Sequence, residues 1–155
     1  MDDYQIVKVF VYGTFKRGYR DYFKHFFRKS DVVFCGCAET VHPMSLYDMG
    51  PAPFVLKKGE PVAKIKGELF ALGPKSLYAI DRFHGYPYGY DRLEIPVLLE
   101  DGTEINGFIH VIDEETKIGI KCCTAIVCSG CWREGIIEYP EMLESNFNPK
   151  DLLIY

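Results

Sequence analysis

The chain has 155 residues, of which 48% are hydrophobic and 15% aromatic, enough to fill one core in a single domain spanning residues 1–155 and too few for two domains. Its formal net charge of −4 excludes a general nucleic-acid binder, whose footprint is a net basic surface, even though Lys16 to Lys29 alone carries +5. No apolar run reaches membrane-spanning length and Met1-Asp2-Asp3-Tyr4 is not a basic-then-apolar leader, so a cytoplasmic protein with neither nucleic acid nor membrane as partner is expected.

The first predicted strand runs from Tyr4 to Val11 and feeds a tight turn, Tyr12-Gly13-Thr14-Phe15-Lys16-Arg17-Gly18. Gly13 removes the side chain that would hold a ligand away from the peptide N–H groups, and successive N–H groups in such a turn converge on an anion. A helix is predicted from about Arg20 to Lys29. Helical spacing places Tyr22, Phe23, Phe26 and Phe27 on one apolar face, so this aromatic and basic run reads as a packed helix with a solvated basic side.

Strands follow at Asp31–Thr40 and Met44–Tyr47, then a glycine- and proline-rich stretch, Met49 to Glu60, that is expected to be a mobile loop. The strand Val62–Ala71 alternates Lys64, Lys66 and Glu68 with Ala63, Ile65, Gly67 and Leu69, which predicts one wet and one packed face, with Glu68 on the wet one. A helix begins at Pro74, a residue suited to the first turn, and ends before Gly85. Leu77, Ile80, Asp81 and His84 fall on one face of it, so His84 closes an inward stripe and Asp81 stands where it can orient the imidazole. Strands Tyr90–Leu99 and Glu104–Ile112 flank the hairpin signal Glu100-Asp101-Gly102-Thr103, a further apolar run covers Ile118–Val127, and an apolar tail ends in Leu152-Leu153-Ile154. Short-linked strands with two helices give an α+β class.

The six cysteines lack a secretory context and read as reduced thiols. Cys35 and Cys37 share one strand face rather than forming a turn-like pair, so they do not join Cys128 and Cys131 in a zinc site. Ser129 and Cys131 have no partnered base by sequence, and Ser129 to Trp132 reads as a turn with Trp132 packed beneath it.

The turn at Tyr12, Leu46-Tyr47-Asp48-Met49-Gly50-Pro51-Ala52-Pro53, Gly67-Glu68-Leu69-Phe70, Ile80-Asp81-Arg82-Phe83-His84-Gly85 and Tyr90-Asp91-Arg92 stand in an order that resembles the gamma-glutamylcyclotransferase-like family. The resemblance runs from Tyr12 to Trp132. It implies a small mixed β-barrel of about six strands with flanking helices and a ligand pocket at one barrel mouth. It also implies intramolecular acyl transfer that releases 5-oxoproline from a gamma-glutamyl amine or amide, without metal or organic cofactor. The expected ligand is a gamma-glutamyl or other amino-acid-like anion, and the implied binding residues are Tyr12, Gly13, Thr14, Phe15, Gly50, Pro53, Tyr90 and Arg92. His84 stands at the position of the family's catalytic glutamate. Imidazole is an adequate base near neutral pH, but it offers one acceptor and no negative charge, so the alternative is an inactive member that holds a small anionic ligand or peptide end in the same pocket.

Overall fold

The computed structural model describes residues 5–113 and 125–133. Strands β1 (Val7–Val11), β2 (Val32–Thr40), β5 (Lys66–Leu72), β6 (Asp91–Leu99) and β7 (Glu104–Val111) close a barrel in the order β1-β5-β2-β6-β7. The β1–β7 pair that seals it is parallel, with Val9 opposite Phe108, and the other pairs are antiparallel. The barrel thus has five strands, not about six, within the expected α+β class.

The predicted strand at Met44–Tyr47 forms β3 (Ser45–Asp48) of a separate three-stranded sheet with β4 (Pro53–Leu56) and β8 (Ala125–Ile126). Strand β4 lies in the stretch expected to be a mobile loop. All four of its residues are buried, and Ile112 at the end of β7 donates to the Val55 carbonyl at 2.8 Å, so this small sheet is fastened to the barrel. Of the Ile118–Val127 run, only residues 125–127 are described; Cys122, Cys123 and the apolar tail also lie outside the described residues.

Two packed cores lie on opposite faces of the β1–β5 wall. One fills the barrel with Phe10, Leu69, Val97, Ile109 and Val111, and the other sets Val9, Val11, Phe70 and Leu72 against Phe15, Phe26 and Ile80 outside it. The outer core is covered by helix α1 (Pro74–His84) and by a π-helical turn, Tyr22–Phe26, that is shorter than the predicted helix. That turn stops because Phe27 is extended and Arg28 adopts φ 63°. Helix α1 runs as predicted. Asp31 substitutes for the capping side chain that Gly73 lacks, accepting from the Ser76 N–H at 2.9 Å and its hydroxyl at 2.6 Å, and Gly85 at φ 69° ends the helix directly after His84.

Candidate active site

At the junction of β1, α1, β4 and β7 a narrow cavity of ≈ 40 Å³ is lined by residues that include the Tyr12–Phe15 turn, Pro53, His84, Tyr90 and His110. It has room for a few waters, so an amino-acid-sized ligand enters only if the Ala52–Pro53 wall or the exposed Phe83 moves.

The turn is wound by its carbonyls. Gly13 O accepts from Lys16 N at 3.0 Å, and Thr14 O accepts from both Asp21 N and Tyr22 N at 3.0 Å. The N–H groups of Gly13, Thr14 and Phe15 have no partner among the described residues, which leaves three adjacent donors for a ligand. Gly13 is required by close approach, since a Cβ there would stand 2.7 Å from Cγ and Cδ of Pro53. Tyr12 lines the cavity, but its hydroxyl is committed, donating to His110 O at 2.7 Å and accepting from Val55 N at 3.1 Å.

His84 is the last residue of α1. Its Nδ1 lies 2.9 Å from the Ile80 carbonyl, which can only accept, so Nδ1 carries the proton and the Nε2 lone pair is left for chemistry. The ring is packed against Phe15, Phe83 and Tyr90, and it stacks on His110 with centroids 4.3 Å apart. The residue keeps partial exposure. Burial of the ring, and then the neighbouring His110, push its pKa well below the ordinary imidazole range, with the Ile80 carbonyl opposing.

His110, on β7, is 2% exposed and donates from Nε2 to Asp81 Oδ1 at 2.8 Å. Asp81 Oδ2 in turn meets Arg92 NH1 at 3.1 Å. Asp81 therefore orients His110 rather than His84, correcting the expectation from helix spacing. Arg92 stacks at 4.3 Å over the Tyr86 ring, belongs to this ion pair, and is not among the cavity-lining residues; neither is the exposed Gly50. Tyr90 lines the cavity, its hydroxyl is pushed up to about 12 by burial, and it has no hydrogen-bond partner among the described residues, so it stands as a neutral donor.

Glu68 is also corrected. It is 8% exposed, accepts from Arg17 N at 2.7 Å and lies 3.7 Å from Arg17 Nε, because the chain after the turn folds over the outer face of β5. Ser129 Oγ accepts from Cys131 N at 3.1 Å in a turn, with Trp132 fully buried. Cys35, Cys37, Cys128 and Cys131 are free thiols, and no group of three or more potential metal-ligating side chains gathers among the described residues. No helix of the described residues is long and apolar enough to cross a membrane. The residue that sequence reasoning missed is His110. A lone histidine in an alternating strand gives no local sign that a helix carboxylate will meet it.

The sequence profile described as gamma-glutamyl cyclotransferase, AIG2-like matches residues 9–134. A protein of Methanocaldococcus jannaschii that carries the name gamma-glutamylcyclotransferase is 27% identical over 113 residues, 73% of this chain and 90% of that protein. Gamma-glutamylaminecyclotransferase B of Danio rerio is 33% identical over 103 residues, 63% of this chain and 54% of that protein. Among solved structures, an AIG2-like protein from Mus musculus superposes with a TM-score of 0.63 at 22% identity, covering 96% of this chain and 94% of that one, which is a likeness of fold.

Proposed function

We propose, from the premise that the chain belongs to the gamma-glutamyl cyclotransferase, AIG2-like family, that it is a cytoplasmic enzyme of intramolecular acyl transfer acting on a gamma-glutamyl amine or amide. The substrate's α-carboxylate would accept from the Gly13, Thr14 and Phe15 N–H groups. Its α-nitrogen would attack the γ-carbonyl carbon, forming the ring C–N bond of 5-oxoproline as the bond to the leaving amine breaks. His84 Nε2 would take the proton from the attacking nitrogen and return it to the leaving nitrogen, while the Tyr90 hydroxyl can donate to the carbonyl oxygen. The observation that carries this reading is the commitment of His84 Nδ1 to the Ile80 carbonyl, which fixes the tautomer with a basic nitrogen at the cavity.

One observation favours a second reading, a binder of small carboxylates without turnover. Burial makes His84 a weak base and no Asp or Glu among the described residues lines the cavity, so the proton of an α-ammonium has only a reluctant acceptor. Release of 5-oxoproline across a panel of gamma-glutamyl amines, with His84→Ala as the control, separates the two. Turnover that disappears in the variant supports the enzyme, and an inert wild type that still binds a panel member by calorimetry supports the binder.

A further inference from the structure

His110 lines the same cavity as His84 and is the more deeply buried of the two. Strand alternation puts it there: Ile109 and Val111 on either side fill the barrel, so residue 110 of β7 turns outward against α1. Its Nε2 donates to Asp81 Oδ1 at 2.8 Å. The neutral ring then carries its lone pair on Nδ1, which has no hydrogen-bond partner among the described residues. Two neutral imidazoles, with centroids 4.3 Å apart, thus wall one cavity and leave it two free acceptor nitrogens.

The two rings are not equivalent. His84 is backed by a peptide carbonyl, that of Ile80, whereas His110 is backed by a carboxylate that Arg92 holds at 3.1 Å. A carboxylate behind an imidazole stabilises the imidazolium that forms when the far nitrogen takes a proton, and a neutral carbonyl does so more weakly. Burial lowers the His110 pKa, with the Asp81 hydrogen bond and charge opposing it and Arg92 adding to it. At His84 burial and the His110 ring both lower it, and only the Ile80 carbonyl opposes.

The reaction has two protons to move. A gamma-glutamyl substrate brings its α-nitrogen as an ammonium, which must lose one proton before it can attack and a second as the ring amide forms. Resting on the enzyme reading above, we propose that His110 is a second catalytic residue, whose Nδ1 takes the first proton from the α-ammonium while His84 Nε2 serves the second transfer. The electron pair of the broken N–H bond stays on the α-nitrogen and then forms the C–N bond to the γ-carbonyl carbon. Stacked rings cannot be charged together, so His110 passes its proton to water before His84 takes the next one and returns it to the leaving nitrogen. The released amine regains a proton from water. Substrate gives 5-oxoproline and free amine, with nothing oxidised or reduced.

The test is the pH dependence of 5-oxoproline release by the full chain, across the panel of gamma-glutamyl amines, in His110→Phe and Asp81→Asn. Phenylalanine keeps a ring for His84 to stack on but has no lone pair. Without the His110 acceptor only substrate that arrives with a neutral α-amine reacts. The kcat/KM of His110→Phe should therefore fall below wild type by about tenfold for each pH unit below the substrate's own α-amino ionisation, and approach wild type above it. A variant that merely disturbs packing would be impaired equally at every pH. Asp81→Asn should show a smaller deficit of the same shape, and it decides the matter if His110→Phe does not fold by circular dichroism. The His84→Ala deficit should persist at high pH, because the second transfer remains. A deficit independent of pH, or wild-type activity in His110→Phe throughout, overturns the proposal and leaves the enzyme reading standing. A wild type inert on the whole panel at every pH overturns both.

Discussion

The imidazoles of His84 and His110 lie face to face, 4.3 Å between centroids and 16° between planes, and of the two only His110 is held by a carboxylate, that of Asp81. Two stacked rings cannot both take a proton without repulsion, so the pair is built to stay neutral. Arg92 holds Asp81, Asp81 holds His110, and His110 supports the ring that faces the cavity.

Acid should therefore destabilise the protein earlier than its carboxylates alone would. Burial depresses the pKa of both His84 and His110, so below the unfolded value of about 6.5 the unfolded chain binds more protons than the native one. Stability is complete above that value and is lost as pH falls from it through the folded pKa values, by about 1.4 kcal/mol per pH unit for each histidine. Glu68, raised by burial, pulls in the opposite direction above its own unfolded value. Urea midpoints measured at neutral pH and one unit or more below 6.5 should converge in His84→Gln relative to wild type; parallel shifts in the two proteins would refute the account.

If His84 is the working base, the acid limb of kcat/KM lies below the ordinary imidazole value and activity is flat through neutrality. His84→Ala should reduce turnover by about 10² to 10⁴-fold. For an inert wild type, His84→Glu places a carboxylate at the same spot and should bring measurable 5-oxoproline release. Equal activity in wild type and His84→Ala would remove the histidine from catalysis.

Gly13→Val should abolish binding of a carboxylate ligand while leaving a folded domain. The new Cβ would collide with Pro53, which starts at 2.7 Å, and the strain is expected to cost about 1–3 kcal/mol. An unchanged affinity in calorimetric titration would mean that the turn does not bind the ligand.

Asp81→Ala should cost about 3 kcal/mol, because it leaves the Arg92 guanidinium largely buried without its counter-charge. It also removes the partner that raises the pKa of His110, so the His110 ring signal in an NMR titration should move further to acid. A titration curve superimposable on wild type would contradict the assigned hydrogen bond.

What the sequence revealed was local. Pro74 and Gly85 mark both ends of α1 because a fixed φ suits a first turn and a left-handed residue suits a last one, and the Glu100–Thr103 signal does join β6 to β7. Strand β4 was missed because Pro53 and the flanking Gly50, Pro51 and Gly59 resemble loop punctuation, while its burial comes from pairing with β3 and from Ile112. Glu68 follows the alternation of its strand, but alternation cannot foresee that residues after the turn will cover the outer face. The meeting of Asp81 with His110 spans 29 positions of sequence and depends on how α1 lies across the barrel.

Trp132 is the chain's only tryptophan, and it is fully buried. Its indole N–H donates to Asp48 at 2.9 Å, its carbonyl receives Lys16, and Arg133 beside it reaches Gly50 O at 2.9 Å. One fluorophore is thus tied to both the segment that leads to Pro53 and the residue that follows the Tyr12–Phe15 turn. A ligand that lifts Pro53 therefore pulls on the segment to which the indole is bonded. The protein contains its own single-site optical probe, and a change in emission with added carboxylate reads out that movement without a label.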